Sequence, residues 1–461
     1  VFQKSGVSLT QQYFRIARRK TPEDAENKVF RATGFDHLML NGGVCMNKKF
    51  FAVICVIALL ASGFAVYFGV RNGGKGDFNN AGESGEAKES AVFINRNTRE
   101  LRGAWLTYYE ISKLCSGKSE SEYRASLTAL LAALDKYSIN TVFYQARAFS
   151  DSLYFSDNFP VSKYIVGSDG QKPGFDPLKV FIECAKEFNI DVHAWVNPFR
   201  ISYGKDITDI SSDHPAQKLY SEDKSALIIC ESGIYYNPAS DRVVKLLLDG
   251  IRELVSGYDI KGIQFDDYFY PPCDFSDDKD MYETYVKSGG TLTLEQYRRN
   301  NVSEFVASVY SLIKSYDESL SFGISPSAKL DYNENTVYAD VSLWCKDDGY
   351  IDYIMPQIYY GFENSTMPFE KTAEEWAQIA ENKNVALYCG LALYKSLKPD
   401  DNAGGGKNEW VENSDILSRQ YKVLQKNGYK GYALFSCSYI FGENSNENSK
   451  KEITALCDVL K

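Results

Sequence analysis

The sequence predicts an α/β fold, a parallel (β/α)8 TIM-like barrel over residues 99–461. Three observations predict it. Eight short apolar runs follow one another along this stretch, and amphipathic segments of helical period separate most of them. About 360 residues carry the eight units, a length that suits a barrel of this kind. No glycine-rich phosphate loop follows any of the runs, which sets the doubly wound open sheet second.

The units follow in order. LRGAWLTYY (101–109) reads as the first strand and 121–137 as the helix after it. TVFYQAR (141–147) precedes a helix at 176–188, and VHAWVNP (192–198) precedes one at 240–256. GIQFDD (262–267) leads to a helix at 294–316, and LSFGISP (320–326) to a short one near 338–347. IDYIMPQIY (351–359), VALYCGLAL (385–393) and GYALFS (431–436) alternate with helices at 371–382, 411–427 and 445–460.

Three segments precede the barrel. Residues 50–70, FFAVICVIALLASGFAVYFGV, carry no charge, and Lys48 and Lys49 stand directly before them. About 20 apolar residues suffice to cross a bilayer. Residues 46–70 are therefore expected to be a signal anchor or transmembrane helix, cleavable after Gly63 or Ala65, with the basic flank inside. Residues 1–45, with RIARRK at 15–20, read as a cytoplasmic tail or an upstream extension with little order. Residues 71–98 are rich in Gly, Asn, Glu and Ser, the composition of a flexible linker. The barrel is thus expected outside the cytoplasm, anchored at 50–70 or secreted.

Composition removes several functions. A net charge of −10 leaves no nucleic-acid footprint. Ten cysteines without a CxxC pair, and three histidines, support neither a zinc site nor a dense disulfide framework. Most of these cysteines read as small buried apolar residues. No organic cofactor is implied. The 33 Tyr and 27 Phe suit a carbohydrate cleft, where sugar rings lie on flat apolar faces, although a Tyr-rich core explains them equally.

Strand alternation says which residues face the lumen. Val142, Tyr144 and Ala146 face the helices, leaving Phe143, Gln145 and Arg147 inward. Likewise His193, Trp195 and Asn197 face inward, as do Gln264 and Asp266, while Gln357 and Tyr359 share one face. Polar residues thus collect at one end of four strands, where a barrel places its chemistry. Asp266 and Asp267 form the principal candidate. Two close carboxylates serve as general acid and base, or as nucleophile and stabiliser, and their proximity pushes one pKa upward. The plain alternative is one capping acid and one solvated acid. His193, Asn197 and Arg200 in HAWVNPFR are candidates for hydroxyls or an acidic substituent; a core histidine and a salt-bridged arginine are the alternatives. Arg147 and Asp151 in QARAFSDSLY are an acid candidate with its partner, or an ion pair. Gln357, Tyr359 and Tyr360 are candidates for sugar stacking, and Lys395 reads as solvated. Clustered acids in DFSDDKD (274–280) read as a solvated loop rather than a metal site.

Several of these motifs together resemble the family-10-like glycosyl hydrolases: RGAWLT (102–107), QARAFSDSLY, PGFDPL (173–178), HAWVNPFR, GIQFDDYFYP, YRRNNV (297–302), FGISPSA (322–328), DYIMPQIYYGF (352–362) and GLALYK (390–395). The resemblance covers residues from about Arg102 to Phe441. It implies a barrel enzyme of the bacterial cell envelope that hydrolyses O-glycosyl bonds. Peptide-stripped peptidoglycan strands are the expected substrate. It also implies that Asp266 and Asp267 are active-site acids, and that Arg147, Asp151, His193, Asn197, Gln264, Gln357 and Tyr359 line the cleft. Two positions depart from the family pattern, where tryptophan is common at Tyr297 and Tyr360. A non-catalytic carbohydrate-binding protein on the same barrel is the alternative function, and a metal-dependent deacetylase is disfavoured by the few histidines.

Overall fold

The computed structural model describes residues 99–461 apart from 168, 169 and 381. The expected tail, apolar span and linker lie outside the described residues. Among the described residues no helix is long and apolar enough to cross a membrane.

The chain runs through β1 (Leu101–Leu106), α1 (Tyr108–Cys115), α2 (Glu120–Lys136), β2 (Thr141–Arg147), α3 (Pro177–Glu187) and β3 (Asp191–Val196). An excursion follows, with β4 (Arg200–Ser202), α4 (Pro215–Glu222), β5 (Leu227–Cys230) and β6 (Gly233–Tyr236). Next come α5 (Asp241–Gly257), β7 (Gly262–Phe265), α6 (Phe275–Lys287), α7 (Leu294–Tyr316) and β8 (Ser321–Ile324). The last strands are β9 (Tyr353–Ile354), β10 (Ala386–Leu387), β11 (Cys389–Leu391) and β12 (Gly431–Leu434).

Nine parallel strands form one sheet, in the order β10-β9-β8-β7-β3-β2-β1-β12-β11. Its two ends are pieces of one segment, parted by Tyr388. β10 pairs with β9 and β11 pairs with β12, so the sheet closes on itself through residues 386–391. The eight-unit barrel is present with its seventh strand in two pieces.

Local chemistry explains the helices. α2 opens on a capping box, Ser119 with Glu122, and buries Tyr123, Leu127, Leu130, Leu131 and Leu134 along one face. Asp176 caps α3 and Pro177 begins it. The outward strand residues Val142, Tyr144, Val192, Ala194, Val196, Ile263 and Phe265 join these helices in the main core. Each fully buried Val, Ile, Leu or Phe there contributes roughly 1.5–3 kcal/mol before conformational entropy is subtracted. A second, separate cluster fills the lumen: Trp105, Phe143, Trp195, Tyr353, Met355 and Tyr388. The eight described cysteines are free, and six of them are buried.

Three expectations are corrected. Arg147 does not face the lumen. The β2–β3 register shifts between Gln145 and Arg147, and the bulge sets Arg147 opposite outward-facing Val196. Its guanidinium packs 4.4 Å over the Phe159 ring and against Gly250 of α5. DFSDDKD is not a solvated loop but the start of α6, opened by a capping box between Asp274 and Asp277. Asp278 within it is buried and accepts from Arg298 Nε at 2.8 Å and from the Tyr270 hydroxyl. Lys395 is mostly buried, paired with Asp400, and donates to the Tyr359 carbonyl at 2.7 Å.

The small antiparallel sheet β4-β6-β5 is an addition to the eight expected units. Its signal is present in LIICESGIYY, two apolar runs parted by a polar pair and a glycine. This sheet places Arg200, paired with Tyr235, beside the barrel mouth.

Candidate active site

Asp266 is the first residue beyond β7 and is 3% exposed. Three donors hold it. Its Oδ2 accepts from Trp195 Nε1 at 3.0 Å and from the Asn197 amide, both on the neighbouring strand segment. Its Oδ1 accepts from the Tyr268 backbone N–H at 3.2 Å, an Asx-type turn that bends the chain away from the strand. Burial and the adjacent Asp267 raise the Asp266 pKa to about 7, against the pull of Arg200 and the Trp195 hydrogen bond. Asp267 is half-buried near Gln357, whose Nε2 donates to the Ser325 carbonyl at 2.9 Å; burial raises the Asp267 pKa as well, and Gln357 and Arg200 oppose the rise. A carboxyl that titrates near neutral pH can give up its proton and recover it.

Arg200 supplies the opposing charge. It is buried among aromatic faces, 4.0 Å from the Tyr268 centroid, 4.4 Å from Phe149 and 5.0 Å from Tyr203. Its N–H groups reach the Ala148 carbonyl at 3.2 Å and the Tyr203 hydroxyl at 2.8 Å. The rings continue outward: Phe149 lies 5.4 Å from Tyr108, which lies 4.5 Å from Tyr164 and 4.2 Å from Tyr109. Tyr268, Tyr203 and Tyr109 are 37%, 42% and 56% exposed, so an aromatic wall leads from the carboxyls to solvent. Tyr359 stands on the other flank, 6.0 Å from Phe435, and its phenol feels both carboxyls.

The remaining candidates lie apart from this centre. Gln264 is in the layer below Asp266, where it accepts from Trp105 Nε1 at 2.8 Å. His193 faces the lumen but pairs in register with Gly262, two layers beneath Asp266. There it meets the Tyr353 hydroxyl at 3.2 Å and the Phe143 ring edge-on, and burial lowers its pKa to about 4. Gly262 makes room for it, since a Cβ there would stand 2.8 Å from the imidazole. Asp151 ends a turn in the loop after β2, accepting from the Phe149 N–H at 3.3 Å and from Ser162. Glu110, another acid near a strand end, ties α1 to the Ser436 hydroxyl at 2.7 Å. Alternation places Trp195 only as lumen-facing, yet it touches Asp266 directly; a buried indole N–H needs an acceptor, and that need is the available signal. Among the described residues no three His, Cys, Asp or Glu side chains gather as a metal site would require.

The glycosyl hydrolase-like 10 profile matches residues 100–405, ending before the last barrel strand. The chain belongs to that family. It is 32% identical over 352 residues to glycosyl hydrolase YngK of Bacillus subtilis, covering 72% of this chain and 68% of that one. Identity to glycosyl hydrolase DigH of Escherichia coli K12 is 30% over 358 residues, 70% of this chain and 80% of the relative. These family relationships make the protein a glycoside hydrolase. Two solved structures resemble the fold at a TM-score of 0.51 and 12% identity. One is the PgaB glycoside hydrolase domain of Bordetella bronchiseptica, covering 77% of this chain and 98% of that domain. The other is α-L-fucosidase isoenzyme 2 of Paenibacillus thiaminolyticus, of which the chain spans about half (49%), with 78% of this chain covered.

Proposed function

We propose that this family member hydrolyses glycan strands of a bacterial cell envelope, peptidoglycan first among them, by carboxylate acid/base catalysis at Asp266 and Asp267. One observation carries the chemistry: Asp266 is buried, fastened by three donors, and raised to a pKa of about 7 beside a second carboxyl. A glycosidase must protonate the departing oxygen and meet the positive charge that grows on the sugar carbon. In this reading Asp266 handles the proton and Asp267, beside it in the chain, is the second carboxylate. Asn197 and Trp195 orient Asp266, and Arg200 limits the charge of the pair. The exposed faces of Tyr268 and Tyr203 and the opposite flank at Tyr359 support a cleft for sugar rings. The choice of glycan rests on the motif resemblance. The same reading places the barrel outside the cytoplasm, supported by the uncharged run at 50–70 and the polar stretch after it.

Mass spectrometry of products tests this. The protein and its Asp266→Asn variant are incubated with peptidoglycan, intact and stripped of peptides. Fragments from the stripped glycan with the parent alone are expected. Fragments from both proteins would remove Asp266 from the chemistry, and fragments from neither polymer would move the substrate to another polysaccharide.

A further inference from the structure

The Asn197 amide presents two edges of nearly equal shape, one that donates and one that accepts. Which edge meets Asp266 depends on what holds the other. Gln145 Nε2 donates to Asn197 Oδ1 at 2.8 Å, and Gln145 Oε1 accepts from the Tyr108 backbone N–H at 2.9 Å. Tyr108 opens α1, so its N–H is one of those a helix start leaves without an intrahelical acceptor. A backbone N–H only donates, and the direction of the whole chain follows from that. Tyr108 donates to Gln145, Gln145 to Asn197, and Asn197 to Asp266, each bond polarising the next. The Thr107–Glu110 capping box holds α1 in place at its start.

We propose that Gln145 is a positioning residue: by fixing the orientation of the Asn197 amide, it sets the proton affinity of Asp266. The inference rests on Asp266 as the acid of the proposed reaction. The ionisable groups facing Asp266 are Asp267, Arg200, Tyr268 and Tyr359. Gln145 adds no charge to this set. Its contribution is a direction, keeping the donating edge of Asn197 on the carboxylate.

Two substitutions in the full chain test it. Gln145→Glu still accepts from Tyr108 but cannot donate, so Asn197 turns its NH2 toward residue 145 and its carbonyl toward Asp266. Gln145→Met removes the donor without adding charge. The readout is the titration of the Asp266 carboxyl carbon by NMR in protein labelled at aspartate, with Asp266→Asn identifying the signal. An upward shift is expected in both, about one pH unit or more for Gln145→Glu. The alkaline limb of kcat should move with it. An Asp266 titration that stays in place in both variants would overturn the proposal. A shifted titration with an unmoved rate profile would support the positioning role and count against Asp266 as the acid, so the two failures are distinct.

Discussion

Replacing Asp266 by asparagine should make the protein more stable at pH 8 and less stable at pH 4. The carboxyl has an ordinary pKa of 3.8 and reaches about 7 in the folded state. The folded protein therefore holds a proton that the unfolded chain releases across this window. Stability falls as pH rises from about 4 to about 7, because there the native state binds more protons. The gap of about three on the pH scale corresponds to about 4 kcal/mol at most. Asparagine cannot ionise and escapes that cost. It can keep an acceptor toward Trp195 and Asn197, but then its NH2 meets the Tyr268 N–H, donor against donor. That conflict costs about 1–3 kcal/mol. A net gain of about 2 kcal/mol remains at pH 8, and at pH 4 only the conflict remains. Urea unfolding of parent and variant at pH 4, 6 and 8 measures the difference. A variant that trails the parent equally at all three values would refute the reasoning, since the site would then not penalise the charge on Asp266.

Asp278→Ala leaves Arg298 buried without its carboxylate and frees the Tyr270 hydroxyl; a loss of about 3–5 kcal/mol in chemical unfolding is expected. Activity should fall with it, because Tyr270 lies in the loop that follows Asp267. Tyr109→Ala with Tyr203→Ala should lower kcat/KM more on long glycan fragments than on short ones, and an unchanged ratio would remove the aromatic wall from substrate binding.

Much of the barrel was legible because a period of two and a period near 3.6 are written directly in the chain. Alternation alone places Val142, Tyr144 and Ala146 on the helix side, and the structure buries them there. Arg147 shows where this stops. A single bulged residue reverses the face, and nothing local in TVFYQAR announces it. Lys395 and Asp278 fail for a related reason: whether a charged side chain is solvated or buried depends on a partner elsewhere, Asp400 in one case and Arg298 in the other. The hairpin of β5 and β6 does carry a local signal, two apolar runs around a polar pair and a glycine. Of the site, the carboxyl pair, its place at a strand end, the lumen-facing Asn197 and Trp195, and the family motifs around them are legible in the chain alone. Packing brings Trp195, Asn197 and Tyr268 onto one carboxyl, sets His193 two layers below it, and lets Gln145 donate to Asn197. Proton affinity is a sum over neighbours in space, and the strands that supply those neighbours are far apart in sequence.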